Sequence, residues 1–425
     1  MLSGFANVFK NKNFLKIWIA QIFSQTANNL LNFLLVVKVY DITGSNLKVS
    51  ILILCFTVPS VLFSIYAGVL ADRFSQKKIM YTVNFLRAVL ALGFIFVGFN
   101  LWFVYILTFM ISSAMQFFLP SEAARIPAIV HQNDYLAANS LYISTNYGAM
   151  IFGFSLVSAI QYVHGYNQFV IISIGFLLSA IILFFLPYDK PKIKHVTKEL
   201  LFDGLKKDFL SGWHLIKNTA GVYMPIIYLV FIWIAFGVAY VLVPPLTNEI
   251  LHIPTADAGR MVVLPAVIGT AGGVLVVDYL SKKTAKKHII SFGIFLVGFS
   301  AMVISLIPEV REVIFKNSPD TYDYIHTFFK TGIIAVLLAM VGFGAMAIIA
   351  PSQTILQENT EKGMMGRVFG FLNMITNVVN MLPVLIIGYI ADRFHIKAVL
   401  FSISSFVVIF GIANVIYHSG GRKRF

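Results

Sequence analysis

The stretch Gly68-Val69-Leu70-Ala71-Asp72-Arg73-Phe74-Ser75-Gln76-Lys77-Lys78 decides how the rest of the chain is read. It is short and polar, and it sits between two apolar runs. Val49 to Ala67 carries no charged residue, and Ile79 to Phe99 carries only Arg87. Each run has the length of a membrane crossing, which needs about 20 mostly apolar residues. The stretch is therefore a tight connection between two spanning helices. Gly68 allows close backbone approach, and Asp72 is an acid at a helix end beside Arg73, Lys77 and Lys78. Retention of cations on the cytoplasmic side explains Lys77 and Lys78 alone. It does not explain the Gly-x-x-x-Asp-Arg spacing.

Composition makes lipid the solvent for most of the chain. Of 425 residues, 58% are hydrophobic and 12% charged, and the mean hydropathy is +0.84. A soluble domain has roughly a quarter of its residues charged. The formal charge of +14 lies in the gaps between apolar runs, so topology accounts for it and no nucleic-acid partner is called for. A lone Cys55 excludes intramolecular disulfides and Cys-rich metal sites. Lys10, Lys12 and Lys16 precede a first apolar run too long for a signal-peptide core, so that run is expected to be a retained helix.

The apolar runs predict an all-α membrane protein with twelve spans, near 14–40, 48–71, 78–99, 101–119, 138–163, 167–187, 221–247, 258–280, 287–307, 331–350, 366–390 and 395–417. With the N-terminus placed inside, 23 Lys and Arg residues fall on the inner side and 8 on the outer, so both termini are expected to be cytoplasmic. The longest connection divides the spans into an N-terminal bundle (1–187), a cytoplasmic linker (188–220) and a C-terminal bundle (221–425). Within the linker, Leu201, Leu205, Phe209, Trp213 and Ile216 recur at three- and four-residue steps, predicting an amphipathic helix on the inner leaflet.

An internal repeat supports the six-plus-six division. Gly68-Val69-Leu70 recurs as Gly273-Val274-Leu275, and Lys77-Lys78 as Lys282-Lys283, at an offset of 205 residues. The acid moves one place, from Asp72 to Asp278. Two parallel repeats about an axis along the membrane normal give this pattern. A third copy, Gly388-Tyr389-Ile390-Ala391-Asp392-Arg393-Phe394, falls outside, between spans 11 and 12, where that symmetry does not call for one.

The first stretch resembles the signature of the major facilitator superfamily of secondary transporters, G-x-L-A-D-R-x-G-R-K, through Gly68, Leu70, Ala71, Asp72, Arg73 and Lys78. Ser75 stands where the signature has its second glycine. Other stretches resemble one branch of that superfamily, the bacterial exporters of macrolides, siderophores and other amphiphiles. These are Trp18-Ile19-Ala20-Gln21 with Ser24, Tyr40-Asp41-Ile42-Thr43-Gly44-Ser45, Pro120 to Ile129, Leu136 to Leu141, Ser211-Gly212-Trp213 and Gly366-Arg367-Val368-Phe369-Gly370. The resemblance implies a fold of two six-helix bundles working by alternating access. It also implies that Asp72 faces Gly366 and Arg367 at the inner gate. Asn28 stands where that branch often carries an acid, so proton coupling at that position is expected to be absent.

Charged groups at membrane depth default to functional hypotheses. Arg87 is the one placed well inside a span, about two and a half turns beyond Lys78, and reads either as a substrate contact or as a structural tie. Asp41, Glu122 and Glu249 are placed at helix ends, as the remaining groups able to couple a proton. Gln25, Asn28, Asn29 and Asn32 form a polar line on helix 1, expected to border the cavity. Asn373, Thr376, Asn377 and Asn380 form another on helix 11, with lining and interhelical glue equally open. Tyr228 and Trp233 of helix 7 could stack on an amphiphilic cargo. No metal spacing, nucleophile with a nearby base, or phosphate-cradling glycine loop is present, so the expectation is a non-enzymatic protein without cofactors. Efflux of a small amphiphile by a monomer among membrane lipids is the first reading, in the bacterial cytoplasmic membrane. A lysophospholipid flippase, greeting phosphate with Arg87 or Lys38, is the second, and a non-transporting sensor the third.

Overall fold

A segment in lipid must satisfy its backbone polar groups internally, and helices do so within each segment. The computed structural model describes residues 2–96, 100–160, 163, 167–189, 222–315, 323–360 and 365–420, and these are almost wholly helical. The chain divides into two compact units, Met1–Gly44 with Ile51–Val196, and Ser45–Ser50 with Thr197–Phe425. Helices α1 (Leu2–Lys10), α2 (Lys12–Thr43), α4 (Gln76–Phe96), α5 (Leu101–Ile129), α6 (Tyr135–Ile160) and α7 (Asn167–Phe184) belong to unit 1. So does α3 (Asn46–Arg73) from Ile51 onward, its first turn being part of unit 2. Unit 2 continues with α8 (Tyr223–Pro245), α9 (Leu264–Ser281), α10 (Lys286–Phe315), α11 (Asp323–Glu358), α12 (Met365–Arg393) and α13 (Ile396–Gly420).

Among the described residues, eleven helices are long and apolar enough to cross a membrane. The long helix α2 is not one of them, because Gln21, Gln25, Asn28, Asn29 and Asn32 dilute its apolar content. Together with α2 they form the expected all-α, twelve-helix arrangement. The fourth helix departs from expectation. It runs through Pro120 and Pro127 to Ile129 rather than ending at residue 119. Proline is tolerated within spanning helices where neighbouring groups compensate the freed backbone. The predicted amphipathic segment at 201–216 lies outside the described residues.

In unit 1, α2 is held centrally between α6 and α7. A Cβ on Gly153 would lie 2.8 Å from Asn29 Cβ, and one on Gly175 would lie 2.9 Å from Ala27 Cβ. Small residues at such crossings let backbones approach where no hydrophobic effect drives helices together. The ends of α2 are closed locally. Asn11 caps it by accepting from the N–H groups of Asn13 and Phe14, and donates to the Ile129 carbonyl at 2.7 Å. Gly44, at φ +59°, terminates it with its N–H on the Tyr40 carbonyl. Phe14, Ile17, Met80, Phe118 and Leu183 form the apolar core beneath.

Unit 2 uses the same device more heavily. Gly269 faces the Ala339 carbonyl and Gly342 the Ala266 carbonyl, so α9 and α11 touch backbone to backbone. Gly293 and Gly344 do the same for α10 and α11. Ile232, Ile290, Ile294, Ala345 and Ile348 fill the space between α8, α10 and α11.

Candidate functional site

The polar interior of unit 1 is built on Arg87. Its side chain is 0% exposed. From α4 it donates Nη2–H to Asn28 Oδ1 at 2.6 Å, and Nη1–H to Ser24 Oγ at 3.1 Å and Asn84 Oδ1 at 3.2 Å. Its guanidinium carbon lies 4.1 Å from the Phe176 ring centroid on α7. Asn84 accepts also from Ser24 Oγ at 2.9 Å and donates to Ser179 Oγ at 3.0 Å. Three uncharged side chains and one aromatic face thus hold a buried cation. Arginine suits this role because its planar, weakly hydrated head stacks and forks at once.

The register of α2 that brings Ser24 and Asn28 to Arg87 is fixed from α6. Trp18 Nε1–H donates to Thr145 Oγ1 at 2.7 Å, and Gln21 donates to the Tyr142 carbonyl at 3.1 Å. Three of the residues that carry the resemblance on helix 1, namely Trp18, Gln21 and Ser24, are therefore hydrogen-bonding positions.

Glu122 corrects the sequence reading. The sequence places it at a helix end, beyond a fourth span expected to close near residue 119. It lies instead about two turns inside α5 and is 0% exposed. Neither carboxylate oxygen has a hydrogen-bond partner of good geometry. The Tyr142 hydroxyl on α6 and the Arg87 guanidinium on α4 are the polar groups within its electrostatic reach. A buried acid is costly to keep, and in a membrane helix it is by default a candidate functional position.

The predicted line on α2 divides by face. Gln25 is buried, while Asn28, Asn29 and Asn32 are half-buried. Asn29 donates to the Gln25 carbonyl at 2.9 Å. The line on α12 divides too. Thr376 is buried and bonded within its own helix, and Asn380 faces Gly237 of α8, so this pair acts in packing. Asn373 and Asn377 remain accessible and lie against each other, 3.4 Å apart.

Tyr228 also departs from expectation. It is 3% exposed and donates its hydroxyl to Asn414 Oδ1 at 2.6 Å, while Asn414 donates to Ser291 Oγ at 2.9 Å. A side chain so placed ties α8, α10 and α13 together and is closed to a cargo. Trp233 is 45% exposed, with its ring 5.7 Å from Phe236.

The signature residues are placed unevenly. Gly68 makes no close approach, since an added Cβ would meet nothing within 4 Å. Its expected crossing role is therefore not realised there. Lys78 is exposed, with its ammonium 5.8 Å from the Tyr188 ring. The side chains of Asp72, Arg73, Asp278 and Arg367 lie outside the described residues, as does the predicted meeting of Asp72 with the start of α12. The backbone of Gly366 and Arg367 is in the first turn of α12. Ser75, the departure from the signature, opens α4. It donates to Asp189 Oδ1 at 2.7 Å, and Asp189 accepts as well from the N–H groups of Gln76 and Lys77 at 2.6 and 3.2 Å. Asn84, Ser179, Asn414 and Asp189 were not singled out from sequence. A lone Asn in an apolar run is the one signal that marked the first and third.

Comparison with known proteins agrees with this architecture. The chain is 24% identical over 428 residues to the uncharacterized MFS-type transporter YfiS of Bacillus subtilis strain 168, covering 96% of this chain and 94% of the relative. It is 23% identical over 384 residues to the uncharacterized MFS-type transporter YvqJ of the same organism, covering 86% and 82%. Among solved structures, the nucleoside transporter NupG superposes with a TM-score of 0.70 at 13% identity, covering 95% of this chain and 98% of that one. An auto-inhibited POT family peptide transporter gives 0.70 at 11% identity, covering 97% of each. The family model of the Major Facilitator Superfamily matches residues 17–383, and the chain belongs to that superfamily of membrane transporters.

Proposed function

We propose that the protein is an exporter of small amphiphilic solutes. In this reading it is a monomer in the bacterial cytoplasmic membrane, with both termini cytoplasmic, and it works by alternating access without cofactor or enzymatic chemistry. The observation that carries the reading is the engagement of Arg87. Its buried guanidinium turns inward onto Ser24, Asn28, Asn84 and Phe176, so the polar face of α2 offers a cargo uncharged amides. In unit 1, Asn32 of α2 extends that neutral face; in unit 2, taken by itself, Asn373 and Asn377 on α12 and Trp233 on α8 present neutral polar and aromatic surface of their own. Such surface suits a cargo with an apolar body and few hydrogen bonds. A phosphate-headed lipid needs a cation it can reach, and the complete burial of Arg87 disfavours the flippase reading.

Coupling in this reading runs through Glu122, because Asn28 cannot bind a proton and Glu122 is a fully buried acid facing Tyr142 and Arg87. The test of cargo class is uptake into inverted vesicles and proteoliposomes. The reading expects accumulation of a lipophilic dye, with no translocation of radiolabelled lysophospholipid or nucleoside. Lysophospholipid movement without dye transport would replace it with the flippase reading.

A further inference from the structure

The third signature copy has no place in a parallel repeat, yet its acid is a described side chain and makes a fully formed contact. Its last turn, at the end of α12, lies against the Ser45–Ser50 segment of unit 2, which is also the first turn of α3. Asp392 Oδ2 accepts from Ser45 Oγ at 2.6 Å and from the Leu47 N–H at 3.1 Å, while Oδ1 accepts from the Asn46 N–H. One turn back, an added Cβ on Gly388 would collide with Ser50 Oγ and lie 2.8 Å from the Asn46 carbonyl. One turn further, the Val384 carbonyl accepts from Ser50 Oγ at 2.8 Å. Val384, Gly388 and Asp392 are thus a stripe of acceptor, gap and acid, spaced by four and shaped to the start of α3. That start has no acidic residue of its own in the first turn, so Asp392 supplies the anion its N-terminus favours. Arg393 does not compete for the carboxylate, because it stacks on Tyr389 with 5.0 Å between guanidinium carbon and ring centroid.

Asp189 on Ser75, Gln76 and Lys77 repeats this chemistry wholly inside unit 1, where Ser75 is buried. The Asp392 contact differs in two ways. Asp392 is exposed, and the helix it caps changes unit between Ser50 and Ile51 while remaining continuously helical. Sharp bends in helices occur at Pro, at Gly and Ser pairs or at π-bulges. The one proline of α3 is Pro59, two turns beyond the boundary. A rocking of one unit against the other therefore cannot be absorbed at Ser50–Ile51. It must lift the first turn of α3 off α12.

We propose that Asp392 is a releasable positioning residue for transport, a clasp that holds the first turn of α3 on α12 in one stage of the cycle and frees it in the other. The proposal rests on the transporter reading, but one arm of its test needs no cargo. With Cys55 replaced by Ser, Ser45→Cys and Asp392→Cys are bridged by a short bis-thiol reagent. Bridging is expected to stop transport, and a reducible bridge to restore it on reduction to the level of Asp392→Ala. A bridged protein that transports like its reduced form would overturn the proposal. In the second arm, Leu47→Cys is labelled with a membrane-impermeant maleimide. Asp392→Asn is expected to raise the labelling rate severalfold with the thermal midpoint nearly unchanged, and Asp189→Asn to leave the rate alone. Equal rates in the parent and Asp392→Asn would overturn the clasp whatever the cargo proves to be.

Discussion

Asn28 shows how one amide changes the chemistry of a helix. Its oxygen accepts a charge-assisted bond from Arg87 at 2.6 Å, a bond worth about 1.5–3 kcal/mol when the group left behind is buried. Asn28→Ala strands a guanidinium N–H, and its thermal unfolding in detergent should show a loss of that size. Asn28→Asp keeps the acceptor and adds a counter-charge, so it should unfold at or above the parent midpoint. Equal loss in both variants would mean the bond is not what holds Arg87. The sequence marked Asn28 and Arg87 separately, one by its departure from a resemblance and one by charge in an apolar run. Their pairing spans 59 residues and leaves no trace in local periodicity. Glu122 was misplaced because the fourth spanning helix runs ten residues past its expected end, through Pro120 and Pro127, which a packed membrane helix tolerates. Ser75 was read as a lapse from glycine, whereas its hydroxyl meets Asp189 at the head of α4.

At the scale of elements, each unit ties its first, third and sixth spanning helix with one asparagine-centred network. Unit 1 joins α2, α4 and α7 through Ser24, Asn84 and Ser179, and unit 2 joins α8, α10 and α13 through Tyr228, Ser291 and Asn414. The 205-residue offset that revealed the repeat does not carry one network onto the other, since Asn84 lies on the third helix and Asn414 on the sixth. Helix order is preserved while the identity of the bonding residue is not, so no motif search finds it. Polar contacts between membrane helices average about 0.6 kcal/mol, so the three bonds of Asn84 should be worth about 2 kcal/mol and the two of Asn414 about 1 kcal/mol. Asn84→Ala is expected to lower the thermal midpoint roughly twice as far as Asn414→Ala. The reverse order would show that the Arg87 network is not what consolidates unit 1.

For the whole molecule, composition, span lengths and the repeat were legible because lipid imposes them on every segment alike. What was not legible is where the fully buried Glu122 lies, because that depends on which faces of α4 and α6 meet α5. The groups facing Glu122 are few. Tyr142 and Arg87 are within its electrostatic reach, Gln21 of α2 is committed to the Tyr142 carbonyl, and Arg125 of its own helix donates to the Pro187 carbonyl at 2.8 Å. Only the carboxyl itself can take up and release a proton while Arg87 stays charged, since a guanidinium does not deprotonate in proteins. Glu122→Gln keeps the shape and an acceptor oxygen toward Tyr142, so the protein should fold with a nearly unchanged midpoint and still exchange cargo down its gradient. It should lose accumulation driven by an imposed pH gradient, while Asp41→Asn and Glu249→Gln retain it. The order of loss is what matters. If gradient-driven accumulation survives in Glu122→Gln and fails in Asp41→Asn or Glu249→Gln, the proton enters at a helix end and Glu122 serves another purpose.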